Sequence, residues 1–164
     1  MAQAYPDAEV IGYDLDAASI TDARANADNV GVRVRFERAD ANAVTRDGPF
    51  DAVLLLETLH DLARPVEVLA ACRDALRRPG GAALVADENV APGFVAPGPE
   101  LERMMYGWSI SHCLPASMAE QPSAAIGTVI REDTVRTLAD DAGFTSTEVV
   151  DVDAGFFRLY RLTP

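Results

Sequence analysis

The sequence predicts an α/β domain built on a mostly parallel sheet. Short apolar or β-branched runs alternate with Ala-rich or amphipathic segments over residues 9–86, the pattern of strands joined through helices. One run, DAVLLL at 51–56, is apolar almost throughout, as suits a strand covered on both faces. Turn residues mark the changes of pattern, among them Gly31 and Pro79-Gly80-Gly81. Parallel strands joined in this way take right-handed crossovers.

Taken in order, residues 9–13 read as a short buried strand ending at Asp14. Residues 17–29 are Ala-rich and helical, with Asp16 as N-cap and Gly31 beyond the end. Residues 33–38 (RVRFER) alternate as a half-buried strand does, and 51–56 form the next strand. From Pro65 to Arg78, Val66, Leu69, Ala70, Cys72 and Leu76 recur at roughly helical spacing, and Pro79-Gly80-Gly81 stops that helix before a strand at 82–86. The pattern then changes. Residues 91–99 are a Pro/Gly loop, 100–112 a helix, and 113–127 an irregular stretch with Pro115, Pro122 and Gly127; about 91–128 is expected to act as a lid-like insertion. A helix at 132–142 closes at Gly143, and the end reads as two antiparallel strands joined through Asp153-Ala154-Gly155.

Composition narrows the function. The 164 residues suit one domain, 1–164, with 49% hydrophobic residues and room for a core. Fourteen basic residues, all Arg, stand against 26 acidic ones, for a formal charge of −12. A chain that negative repels phosphate backbones and anionic lipid, so neither nucleic acid nor a membrane is an expected partner of this segment. No apolar run approaches the ~20 residues of a membrane span, and MAQAYPDAEV lacks the pattern of a secretory signal. Cys72 and Cys113 form no metal or redox spacing. The simplest expectation is a reduced cytoplasmic protein.

The strand ends carry the strongest signal. In open α/β sheets, ligands bind beyond the carboxyl ends of the strands. The first strand ends at Asp14, the second is followed by Asp40, the third by Glu57, and the fourth by Asp87-Glu88. Two readings stand. Such residues cap helices and favour turns. Repeated at successive strand ends, they also form an acidic crevice that calls for a cation or a donor-rich ligand, because like charges repel. Ribose hydroxyls are such donors. Mg²⁺ or Ca²⁺ would also suit oxygen ligands, but no DxDxDG-type loop or His pair is present, so no metal ligand is assigned.

VIGYDLD (Val10–Asp16), RFERADA (Arg35–Ala41), GPFDAVLLLETLHDL (Gly48–Leu62) and LRRPGGAALVADE (Leu76–Glu88) resemble, in order and spacing, the class I S-adenosylmethionine-dependent methyltransferases. VRTLADDAGF (Val135–Phe144) and the closing strand pair resemble that family's C-terminal end. YGWSISHCLPASM with the later GTVIRED resembles a bacterial subgroup carrying a winged-helix-like N-terminal domain. The resemblance implies a Rossmann-like sheet with helices on both faces, S-adenosyl-L-methionine as cofactor and a small-molecule methyl acceptor. It implies that Asp14 accepts hydrogen bonds from the ribose, with Leu15 and Asp16 beside the adenosine. Asp40 and Ala41 would meet the adenine amine. Glu57 and Thr58 would lie near the sulfonium and methionine portion, with His60 just beyond.

One departure is plain. Family members open with a strand and a loop of the form acidic-x-Gly-x-Gly-x-Gly, whereas the 11 glycines here include no Gly-x-Gly. Met1–Pro6 reads as the tail of the helix that follows such a loop, so the domain is expected to be incomplete at its N-terminus, lacking a strand between 9–13 and 51–56. That gap would leave two apolar strand edges to be covered by an upstream segment or a homodimer partner.

Methyl transfer to a hydroxyl needs a base within reach of the acceptor. The two histidines, His60 and His112, are the catalytic candidates, and His112 in the Pro-flanked insertion is preferred. Packing beneath a lid is the competing reading of His112, and capping that of His60. Cys113 is adjacent to His112, but neighbours on a helix do not face one another, which argues against a nucleophilic pair. Tyr106, Trp108, Met104 and Met105 suit an apolar substrate pocket or equally a core or dimer face. Two other functions compete: a catalytically inactive remnant or interaction module with the same fold, and a nicotinamide-binding domain, against which the absent Gly-x-Gly-x-x-Gly counts.

Overall fold

Asp16 opens the first helix and Gly31 closes it, in a computed structural model that describes all of residues 1–164. The chain forms two compact units, Met1–Asp47 and Gly48–Pro164. In the first, β1 (Ile11–Asp14) and β2 (Arg35–Arg38) pair in parallel, from Ile11 opposite Arg35 to Asp14 opposite Arg38. α1 (Ala17–Val30) makes the crossover. Asp16 Oδ2 accepts from Ser19 N at 2.7 Å and from Ser19 Oγ at 2.9 Å, and those bonds hold its carboxyl below the usual range. Gly31 has φ +73°, the left-handed turn that lets its N–H reach back to the helix carbonyls. Gly12 is required by close approach, since a Cβ there would meet the Phe36 ring at 2.9 Å. Asp16→Ala is expected to lower the thermal midpoint by about 2–4 °C, read by circular dichroism.

A 3₁₀ turn at Ala41–Arg46 completes this unit, whose buried apolar residues are Ile20, Ala43 and Val44. Polar bonds supplement so small a core. Asp47 accepts from Tyr13 Oη at 2.5 Å and from Arg35 at 2.5 Å. Burial, then the bond to Asp47, push the Tyr13 hydroxyl up to about 12.

The second unit holds β3 (Ala52–Leu56), α2 (Pro65–Ala75), β4 (Ala82–Glu88), α3 (Glu100–Trp108), α4 (Leu114–Met118), α5 (Glu132–Asp141), β5 (Ser146–Val149) and β6 (Phe157–Thr163). The sheet order is β3-β4-β6-β5. β3 and β4 are parallel, with Ala52 opposite Ala82, while β6 runs antiparallel to both β4 and β5. The expected α/β class holds: a parallel core with an antiparallel C-terminal pair in a mixed sheet. Leu69, Ala83, Val85, Val135, Ala139, Tyr160 and Leu162 form the core. β3 is an edge strand, and its Leu54 and Leu56 are 37% and 59% exposed. Glu102 on α3 is buried against Arg131, which also donates to the Ala91 carbonyl and to Tyr106 Oη.

Three expectations are corrected. α2 ends at Ala75, not Arg78, because Leu76 turns extended and bridges to Phe50. β4 continues through Asp87 and Glu88, which pair with Arg158 and Phe157; those carboxylates are strand residues in the interior. Helical structure does not stop near residue 112. A wide π turn at Ser109–Cys113 passes directly into α4, and the chain stays helical through Pro115.

Candidate functional site

In the first unit, the β1–β2 register and the Ala39 N–H donating to the Asp14 carbonyl at 3.0 Å bring Asp14 and Asp40 to one sheet edge. Both serve local structure. Asp14 Oδ1 accepts from Asp16 N at 2.7 Å, and Asp40 Oδ1 accepts from Asn42 N at 2.8 Å and Asn42 Nδ2 at 2.6 Å. Each carboxylate has its other oxygen free of hydrogen bonds, and both residues are exposed. Leu15 and Asp16 are exposed beside Asp14, and Ala41 starts the 3₁₀ turn. Free carboxylate acceptors at an exposed strand edge fit the hydroxyls of a ribose and the amine of an adenine.

In the second unit, Glu57 follows β3 with φ +53°, a left-handed conformation that a residue with a Cβ enters only under strain. Its N–H donates to the Ala86 carbonyl at 2.9 Å, which fixes the chain as it leaves the sheet. Burial, then the charge of Asp87, raise its carboxyl pKa. Thr58 Oγ1 donates to the Leu56 carbonyl at 2.9 Å.

The same exit delivers His60 into a short 3₁₀ turn, Leu59–Asp61. His60 is 3% exposed, Asp87 0% and Glu88 2%. His60 Nδ1 lies 2.5 Å from Asp87 Oδ1 and 3.5 Å from Glu88 Oε2, while Nε2 lies 3.3 Å from Asp61 Oδ1. A carboxylate accepts only, so the Nδ1 proton belongs to the bond with Asp87. Burial alone would lower the imidazole pKa. The Asp87 bond and charge, with Glu88 and Asp61, more than offset it and raise the pKa to about 10. Burial, then Asp87, push the Glu88 carboxyl up to about 8. Asp87 Oδ2 and Glu88 Oε2 are buried with no hydrogen-bond partner.

Of the two histidines, the structure thus brings His60 together with interior carboxylates. His112 is exposed on the wide turn and makes no side-chain hydrogen bond. Cys113 approaches His60 and Asp61 within 4.8 Å, a grouping the sequence did not suggest. The overlooked signal was the register: β3 and β4 run in parallel, so a His just past one strand meets the acidic pair that ends the other. Cys72 is buried on α2, and burial pushes its thiol up to about 12.

Residues 1–81, about half of the chain, match the family model described as "Methyltransferase domain". The chain belongs to this family. It carries part of a class I S-adenosylmethionine-dependent methyltransferase domain. The matched methyltransferase segment includes Asp14, Asp40, Glu57 and His60 and ends before Asp87. A ubiquinone biosynthesis O-methyltransferase of Roseobacter denitrificans is 34% identical over 86 residues, which cover 52% of this chain and 34% of that protein. The corresponding protein of Nitrosococcus oceani is 33% identical over 87 residues, 52% and 36% of the two chains. The alignments therefore span about a third of these curated relatives.

Among solved structures, an O-methyltransferase family protein from Burkholderia thailandensis superposes with a TM-score of 0.71 at 18% identity, covering 99% of this chain and 45% of that one. CalO1, a methyltransferase in calicheamicin biosynthesis solved with S-adenosylhomocysteine bound, gives a TM-score of 0.68 at 20% identity, covering 99% and 44%. At such identities these neighbours show that the methyltransferase fold extends across the chain. No helix of the methyltransferase domain is long and apolar enough to cross a membrane.

Proposed function

We propose that this domain transfers a methyl group from S-adenosylmethionine to a hydroxyl of a small molecule. The observation that supports an oxygen acceptor is the buried His60–Asp87 pair at 2.5 Å. A neutral hydroxyl is a weak nucleophile and must lose a proton as the new bond forms, which is the work of a base. Asp87 takes the Nδ1 proton into its hydrogen bond and so presents Nε2 as the atom that accepts the hydroxyl proton. The cofactor supplies a methyl group made electrophilic by a sulfonium, and that positive charge opposes the elevation of the His60 pKa.

In this reading Asp14, with Leu15 and Asp16, holds the ribose. Asp40 and Ala41 meet the adenine amine, and Glu57 and Thr58 the methionine portion. Residues 91–128 cover the acceptor, with His112 as a further acceptor-side group. The test is calorimetry of the full chain with S-adenosylhomocysteine. Asp14→Ala is expected to weaken binding about tenfold, the loss of a charge-assisted hydrogen bond. Unchanged affinity would remove Asp14 from the ribose role.

A second reading, an inactive interaction module, is favoured by exposed Leu54 and Leu56 on edge strand β3. Failure of the chain to bind S-adenosylhomocysteine would select it.

A further inference from the structure

We propose that His60, Asp61 and Cys113 form a binding site for a thiophilic divalent cation of the Zn²⁺ class. Each residue contributes a ligand atom that lies within 4.8 Å of the other two. The His60 atom facing Asp61 is Nε2, 3.3 Å from Asp61 Oδ1. On the opposite side of the ring, Asp87 Oδ1 receives Nδ1 at 2.5 Å. A carboxylate on one imidazole nitrogen fixes the tautomer, orients the ring and raises the basicity of the other nitrogen, the arrangement found behind metal-ligating histidines.

A second observation points to the same place. Asp61 Oδ1 is buried and accepts no well-aligned hydrogen bond, its close neighbour being His60 Nε2 at 3.3 Å. Nothing in the chain donates to it with acceptable geometry, and a cation would satisfy it.

The donor set selects the metal class. One nitrogen, one oxygen and one sulfur suit Zn²⁺, with a fourth position left open. Mg²⁺ and Ca²⁺ favour oxygen donors alone. The fold supplies the sulfur through the wide turn Ser109–Cys113, which leads into α4, and α4 packs on the turn that carries His60. Cys113 is a free thiol of intermediate exposure, open to a ligand from solvent. The carboxylates of Asp61 and Asp87 flank the ring, and the field that favours a proton on it favours a dication more strongly. On binding, the metal takes the Nε2 lone pair and the thiolate of Cys113, and the protons they carried pass to solvent.

The site shares His60 Nε2 with the methyl-transfer reading but does not rest on it. If that reading holds, metal and acceptor hydroxyl compete for one lone pair, and Zn²⁺ inhibits transfer. The experiment is therefore one of binding. The metal-free full chain is titrated with Zn²⁺ against a colorimetric chelator, with excess Mg²⁺ present. One equivalent is expected to bind, and Cys113→Ser and Asp61→Asn are each expected to weaken binding at least about tenfold. Co²⁺ in place of Zn²⁺ is expected to give a near-ultraviolet thiolate-to-cobalt band that Cys113→Ser abolishes. Absence of stoichiometric uptake, a smaller loss in Cys113→Ser, or a cobalt complex without the thiolate band overturns the site.

Discussion

Asp87→Ala is expected to lower the free energy of unfolding by about 3–5 kcal/mol, because it strands a buried charged imidazole without its partner. Both groups are almost wholly shielded, and the bond between them is 2.5 Å long. The loss is one of desolvation left uncompensated and does not measure the strength of the pair. Replacing both residues by Leu in one chain should therefore destabilise less than Asp87→Ala alone. Urea denaturation of Asp87→Ala, Asp87→Leu, His60→Leu and the double Leu variant gives the comparison, and additive losses of the Leu variants would show that the pair is not coupled. The pH dependence follows from the raised His60 pKa. Its stabilising contribution is complete below the unfolded value of 6.5 and is lost as pH rises through the folded value of about 10. The wild type should lose stability across that window, and Asp87→Ala should show a flatter profile there.

His60→Gln is expected to reduce kcat for methyl transfer about 10²–10⁴-fold, the usual contribution of a positioned base. Affinity for S-adenosylhomocysteine should stay within about twofold, because on our reading the amide replaces a group acting on the acceptor's proton. The readout is S-adenosylhomocysteine formed with a phenolic acceptor, beside calorimetry of the same variant. A full rate in His60→Gln would transfer the role of base away from this residue, with His112 the next to test.

The sequence made the fold legible where local chemistry decides it. Asp16 and Gly31 framed α1 because caps are short-range devices, and the apolar run DAVLLL read correctly as a strand. Its expected cover on both faces is not found, since β3 lies at the sheet edge with Leu54 and Leu56 exposed. Legibility failed where tertiary contacts override propensity. Leu76 leaves the helix because Phe50 offers it a strand partner, and Asp87-Glu88 stay in β4 because Arg158 and Phe157 continue the ladder. Pro115 suggested irregular chain, yet the chain stays helical through it, at the join of the wide turn and α4. In the site, Asp14 and Asp40 were readable as strand-end acids. The convergence of His60 with Asp87, Glu88 and Cys113 was not, since it depends on strand register and on a helical turn widened by one residue.

β4 is the strand with a parallel neighbour on one side and an antiparallel neighbour on the other, and Ala83 and Val85 at its middle are fully buried. Its amides should therefore rank among the slowest to exchange with deuterium, whereas the turn after edge strand β3 opens by local fraying. Asp87 is bolted to the stiff side of that divide and His60 to the loose side. Their bond thus acts as a latch, and the protection of the Leu59–Asp61 amides becomes a direct gauge of whether it is shut.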